Sequence, residues 1–236
     1  MRVVGVDGCR AGWLAVAIEH GVANGAELVQ DIADIVGRGA DATMIDMPIG
    51  LPDSGRRACD LAARALLASA PGARPGDASR VFLDLRRPLL ALRHDAGAAY
   101  DWARRDGFGL SPFAFNLLEK IAALDAVLSP RRQARVRECH PELAFLRLGG
   151  GRRVKSKHPR TEPGGLEQRR ELLLAAGFTE LSDWLAGLRG GAARADDLLD
   201  ACACALAARD AATGAGRRVP HAPERDATGL RMEIWY

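Results

Sequence analysis

The chain has 236 residues, of which 48% are hydrophobic and 27% are charged, a composition that excludes global disorder and allows one domain with a buried core. Its formal net charge of +3 does not identify a partner by itself. No apolar run approaches the roughly eighteen residues of a membrane span, and the first residues do not resemble a signal peptide. We therefore expect a cytoplasmic protein without membrane contact. The five cysteines form no C-x-x-C pair, so neither a zinc site nor a disulfide framework is expected.

The N-terminal part of the chain predicts the element order β-β-β-α-β. Strands are expected at 2–7, 12–19, 26–30 and 42–47, with a short helix at 31–38 that Asp31 caps. The linker between the first two strands is short, which predicts a hairpin. The right-handed crossover rule predicts that the fourth strand lies beside the first and parallel to it.

The rest of the chain is predicted to be mostly helical. Residues 53–133 are expected to form a large helical insert, followed by a fifth strand at 134–139 and a glycine-rich, basic, mobile loop at 149–165. Helices are expected at 55–69, 95–106, 113–129, 166–176, 180–188 and 196–212, and a last strand or ordered tail at 229–236. The fold class is therefore α/β. We expect a single domain over residues 1–236, in which helices flank a mixed sheet of three antiparallel strands plus parallel strands.

Acidic residues are placed where a structural role does not fully explain them. Asp7 and Asp46 each end an apolar strand, and Asp197 and Asp200 are three apart on one helix face. Carboxylates that lie together at strand ends repel each other unless a cation neutralises them, and Mg²⁺ or Mn²⁺ is the expected cation. The alternative is that the strand-end acids cap turns and that Asp196 and Asp197 cap the helix.

Two further groups of polar residues are candidates for the site. The ECHPE motif contains Glu138, His140 and Glu142, although a lone histidine such as His140 is more often a hydrogen-bonded structural residue than a catalytic one. The glycine-rich loop carries four positive charges that suit phosphate, or that simply keep a loop solvated: Arg152, Arg153, Lys155 and Lys157.

Several stretches together resemble one known family. They are GVDGCRAGW (5–13), MIDMPIGLP (44–52), RRACDLAAR (56–64), SPFAFNLLEKI (111–121), ECHPELAF (138–145) and DDLLDACACALAAR (196–209). They resemble the family called domain of unknown function 429, predicted nucleases with a ribonuclease H-like fold. The D-x-x-D-A segment is also similar to that of Holliday-junction resolvases, in which two aspartates complete a metal site opened on the first strand.

The resemblance implies a hydrolase, a nuclease that cleaves phosphodiester bonds in nucleic acid by a two-metal mechanism. In that arrangement Asp7 bridges both ions, Asp46 holds one, and Asp197 with Asp200 holds the other. Glu138 or Glu142 is expected to orient water or to add a ligand. The basic loop, with His140 and Glu142, is expected to bind substrate.

Two other interpretations keep the fold and change the function. In proteins of the actin and sugar-kinase type, an Asp-Gly hairpin after the first strand holds phosphate, and Asp7-Gly8 would take that role. A non-enzymatic binding module is the second alternative, although its crowded acids would repel nucleic acid without a metal. The sequence leaves DNA, RNA and small phosphodiesters open as substrates, and it leaves the oligomeric state open.

Overall fold

A mixed five-stranded sheet forms the centre of the computed structural model, which describes residues 1–158, 160–188 and 191–236. Its strands are β1 (Arg2–Cys9), β2 (Gly12–Glu19), β3 (Val22–Val29), β4 (Ala42–Asp46) and β5 (Val136–Glu138). The order across the sheet is β3-β2-β1-β4-β5. The first three strands are antiparallel neighbours, and β4 and β5 run parallel to β1. The α/β class and the parallel pairing of the first and fourth strands are thus confirmed.

Helices cover both faces of this sheet. They are α1 (Ile32–Gly37), α2 (Ala58–Ser69), α3 (Ala96–Arg105), α4 (Pro112–Val127), α5 (Pro141–Leu148), α6 (Gly165–Ala175), α7 (Leu181–Gly187) and α8 (Ala195–Ala212). The predicted cap is confirmed at α1, where Asp31 accepts the Ala33 N–H at 2.8 Å, and Ser111 caps α4 in a similar way by accepting the Ala114 N–H at 3.1 Å. No helix in the described parts of the chain combines the length and the apolar character that crossing a membrane requires.

The alternation of side chains along β1 divides the core into two layers. Val3 packs in a cluster with residues of α5, α6 and α8, whereas Val4 and Val6 pack on the opposite face with residues of α1 and α4. Gly5 lies on the face of α8, and a side chain there would overlap the backbone of that helix. The close approach of α8 to β1 therefore depends on a residue without a Cβ.

The chain between β4 and β5 packs against the rest of the molecule at two places. Leu118 and Ile121 of α4 pack in the same core layer as Val4 and Val6 of β1. Helix α2 packs through Cys59 and Ala63 with α5 and with Ile234 of a small two-stranded sheet, β6 (Arg218–Val219) and β7 (Ile234–Trp235). The ordered tail expected at 229–236 thus contains a strand of only two residues. All five cysteines are buried and free, as expected.

Candidate functional site

Three aspartates converge at the carboxyl-terminal edge of the parallel strands. Asp7 and Asp46 are direct neighbours across β1 and β4, and Asp200 reaches them from the second turn of α8. One carboxylate oxygen of each residue lies within 4.8 Å of those of the other two. Asp7 is 7% exposed and Asp200 1% exposed, and Asp46 is half-buried. This edge is where open α/β sheets commonly bind ligands.

Burial and repulsion by neighbouring acids both disfavour the charged forms of Asp7 and Asp46. Burial, followed by Asp200, raises the pKa of Asp46 to about 8. Burial, followed by Asp46 and Asp200, also raises the pKa of Asp7 well above its usual value. Two like charges about 4 Å apart repel by about 4 kcal/mol at an effective dielectric constant of 20. The cluster therefore favours any positive charge that reaches it.

Lys157 supplies one such charge. Its ammonium donates a hydrogen bond to Oδ2 of Asp200 and lies 3.8 Å from Oδ2 of Asp196. Although burial opposes the charge, Asp200, Asp7 and Asp46 hold the pKa of Lys157 above its usual value. The other oxygen of Asp200, Oδ1, lies 3.4 Å from Nη1 of the buried Arg169.

Asp197, the fourth predicted metal ligand, lies apart from these three. Its Oδ2 accepts the backbone N–H of Arg194 at 2.8 Å, so it caps the start of α8. Arg194, rather than Asp196, occupies the N-cap position. Asp197 still lines the same cavity as the cluster.

Glu138, a predicted catalytic residue, has both carboxylate oxygens engaged. Arg57 donates to them at 2.5 and 2.8 Å, and the Ile49 N–H donates at 2.7 Å. Arg57 is only 1% exposed and also binds Asp60. These contacts fix the turn that follows Asp46, and they indicate a positioning role for Glu138.

The other two residues of the ECHPE motif lie on the cavity wall. His140 occupies the N-cap position of α5, where its Nδ1 accepts the Glu142 N–H at 3.3 Å, and burial lowers its pKa. Glu142 accepts hydrogen bonds from Arg80 and Arg169. Although burial alone would raise it, these two arginines hold the pKa of Glu142 below its usual range.

The glycine-rich segment was expected to be a mobile loop, but several ion pairs connect it to the rest of the chain. Arg153 forms paired contacts with Asp77 at 2.6 and 3.1 Å and with Glu162 at 2.6 and 2.7 Å. Buried carboxylates attract the guanidinium inward, and Asp200 attracts Lys157 in the same way. Arg152 and Lys155 remain exposed.

A cavity of about 720 Å³ joins these groups. The acidic cluster, Arg80, Arg153 and Phe113 all line it. Sequence reasoning missed the arginines that hold the acids of the wall, Arg57, Arg80 and Arg169. Only Arg57 lies in one of the quoted motifs, and nothing in the sequence signalled its burial.

A family model, rather than any single known protein, identifies the family of the chain. Comparison with curated proteins finds no match, and comparison with solved structures finds none. A family model described as "Protein of unknown function (DUF429)" matches residues 5–225, a range that contains the whole acidic cluster. The chain therefore belongs to this family of proteins of unknown function, DUF429.

Proposed function

We propose that the protein is a metal-dependent phosphodiesterase of the ribonuclease H-like type that cleaves nucleic acid. The observation that carries the proposal is the convergence of Asp7, Asp46 and Asp200 within 4.8 Å at the carboxyl edge of β1 and β4. An antiparallel meander continued by two parallel strands also agrees with the fold that the family resemblance implies.

The donor set of the cluster suits Mg²⁺ or Mn²⁺. All three ligands are carboxylates, the hard oxygen donors that these ions prefer. The raised pKa values of Asp7 and Asp46 show that a further positive charge beside them would be stabilising. Asp7, Asp46 and Asp200 would hold the ion. When bound, a divalent cation polarises a phosphoryl oxygen and lowers the pKa of a coordinated water.

A second ion, as a two-metal mechanism requires, would draw on Asp197. This carboxylate lines the cavity, but its Oδ2 accepts the Arg194 N–H. The three clustered aspartates would therefore hold the first ion, and mutation of Asp197 tests whether it holds a second.

Charged residues outside the acidic cluster would bind and position a polyanionic substrate. Arg152 and Lys155 are exposed beside the cavity and would contact phosphates outside it. Glu142 and Glu138 keep their arginine partners and hold the walls of the site. Without a cation, the acidic edge would repel a phosphate group, so binding and cleavage should both require metal.

Two measurements test this function. Isothermal titration with Mn²⁺ should show binding to the wild type and to Asp53→Asn, an exposed control, and none to Asp7→Asn. Labelled single-stranded DNA, duplex DNA, RNA and branched DNA, incubated with Mn²⁺, should identify a substrate that Asp7→Asn does not cleave. The proposal is wrong if the wild type binds no Mn²⁺, or if Asp7→Asn cleaves as the wild type does. Stabilisation by ATP without cleavage would favour the actin and sugar-kinase interpretation.

A further inference from the structure

Lys157 is placed differently from the exposed basic residues of its segment. Lys155, two residues earlier, is exposed, whereas the side chain of Lys157 is 25% exposed and its ammonium contacts Asp200 in the acidic cluster. Asp7 and Asp46 act on the same ammonium. A positive charge of the chain thus already lies at the place where the site would attract a cation.

The backbone around Lys157 is fixed, so this placement is built into the fold. The Lys155 N–H donates to Gln168 at 2.9 Å, and the Ser156 N–H donates to Glu162 at 2.8 Å. The Ser156 carbonyl approaches Gly165 so closely that any side chain at that glycine would overlap it. These contacts hold the start of the segment and direct the Lys157 side chain toward α8.

Lys157 and a metal ion would compete for the carboxylate of Asp200. Oδ2 of Asp200 accepts the hydrogen bond of Lys157, and Oδ1 of Asp200 faces Arg169. A divalent cation bound by Asp7, Asp46 and Asp200 therefore needs Oδ2 to lose its ammonium partner. Electrostatics adds to this competition, because an ammonium next to the cluster repels an incoming cation.

We propose that Lys157 is the resident cation of the acidic cluster, that a divalent metal ion displaces it, and that the displaced ammonium then binds the anionic substrate in the same cavity. This inference rests on the proposed metal-dependent function. Lys157 is then an exchangeable counter-ion. It stabilises the acidic cluster when no metal ion is bound, and it contributes to phosphate binding when a metal ion occupies the cluster.

The first test measures the affinity for Mn²⁺ by isothermal titration. Lys157→Met should bind Mn²⁺ at least tenfold more tightly than the wild type, and its melting temperature without metal should be lower, because three carboxylates lose their counter-ion. Lys155→Met removes the same charge from the exposed neighbouring position and should bind Mn²⁺ as the wild type does. If Lys157→Met does not fold, Lys157→Gln, which keeps an N–H donor for Asp200, replaces it in the comparison.

The measured affinities distinguish failure of the Lys157 exchange from failure of the proposed metal-dependent function. If the wild type binds Mn²⁺ and Lys157→Met binds it equally or more weakly, the exchange is wrong and the metal site stands. Equal tightening by Lys155→Met would show a general charge effect, which also overturns the exchange. If no variant binds Mn²⁺, both the exchange and the proposed function fail.

The second test uses the reciprocity of coupled binding. Thymidine 5′-monophosphate, which has no phosphodiester to cleave, should tighten Mn²⁺ binding in the wild type by fivefold or more. In Lys157→Met the tightening should be smaller, because only direct contact between metal and phosphate remains, and Lys157→Arg should restore part of it. Equal tightening in the wild type and Lys157→Met would overturn the role of Lys157 in binding the anion.

Discussion

At the scale of single residues, similar aspartates perform different tasks because their neighbours differ. Asp7, Asp46 and Asp200 face one another, whereas Asp197 faces the backbone of Arg194. A spacing of three on one helix face correctly suggested that Asp197 and Asp200 point to the same side. It did not reveal that the first turn of α8 leaves an N–H group that needs an acceptor.

Replacing Asp197 by Ala tests this division. The loss of the helix cap should reduce the free energy of unfolding by about 1 kcal/mol, measured by urea denaturation. Mn²⁺ affinity should fall less than tenfold, because the three clustered carboxylates remain. Asp46→Asn is the contrasting variant and should lose Mn²⁺ binding. A loss of Mn²⁺ binding in Asp197→Ala as well would make Asp197 a ligand.

At the scale of the elements, the contact between β1 and α8 determines whether the cluster forms. Asp7 and Asp200 belong to these two elements, and their distance depends on how closely the helix lies over the strand. Gly5 permits that approach, because a Cβ there would overlap the backbone of Ala201 and Ala205. Packing two residues away from Asp7 thus sets the geometry of the carboxylates.

Gly5→Ala should therefore damage both stability and metal binding. The new methyl group must displace α8, which should reduce the free energy of unfolding by about 3 kcal/mol and weaken Mn²⁺ binding. Gly37→Ala is the matched control, because a Cβ at Gly37 meets nothing within 4 Å. Chemical denaturation and Mn²⁺ titration of both variants check this. A Gly5→Ala protein as stable as Gly37→Ala would contradict the close contact.

The basic segment should likewise divide into structural and binding residues. Arg153→Ala removes one guanidinium from the buried carboxylates of Asp77 and Glu162, which keep Arg80 and Arg74 respectively, and should cost about 2 kcal/mol. Arg152→Ala, at an exposed position, should change stability by less than about 0.5 kcal/mol. It should also reduce the salt dependence of nucleic-acid binding by about one unit of slope. Thermal denaturation and binding titrations at several salt concentrations compare the two variants, and equal stability losses would contradict this division.

At the scale of the whole molecule, the acidic cluster should make stability depend on pH. Burial and neighbouring acids raise the pKa of Asp46 to about 8, so in the folded protein this group keeps its proton at a pH where the unfolded chain has lost it. The stability it provides in its protonated form is fully present below the unfolded pKa near 4 and is lost as pH rises through about 8. Asp7 acts in the same direction, because its pKa is also raised.

The prediction concerns the melting temperature without divalent metal. Asp46→Asn should melt progressively higher than the wild type as pH rises from about 5 to about 8, because it removes the group that must ionise. Saturating Mn²⁺ should reverse the difference at pH 8, since only the wild type gains from binding. Asp53→Asn controls for loss of an exposed charge. A difference that is constant with pH would show that Asp46 does not titrate in this range.

Local patterns and long-range contacts were not equally predictable. The strands that carry Asp7 and Asp46 follow from short apolar runs and turn signals, and the pairing of these strands follows from the handedness of crossovers. The positions of Arg57, Arg80 and Arg169 depend instead on which distant carboxylate each one meets. An arginine destined for burial has the same local pattern as one in solvent, so sequence alone could not assign their partners to Glu138 and Glu142.

The order in which the chain is synthesised determines when α8 can dock on the sheet. Asp7 and Asp46 leave the ribosome well before Lys157 and Asp200, because β1 and β4 precede them in the chain. Until α8 arrives, the two early carboxylates lie side by side without the ammonium that faces them in the finished protein. Their repulsion should keep β1 and β4 weakly paired during translation, so the nascent chain should complete the sheet late. The arrival of α8 would then trigger sheet closure and the assembly of the acidic cluster together.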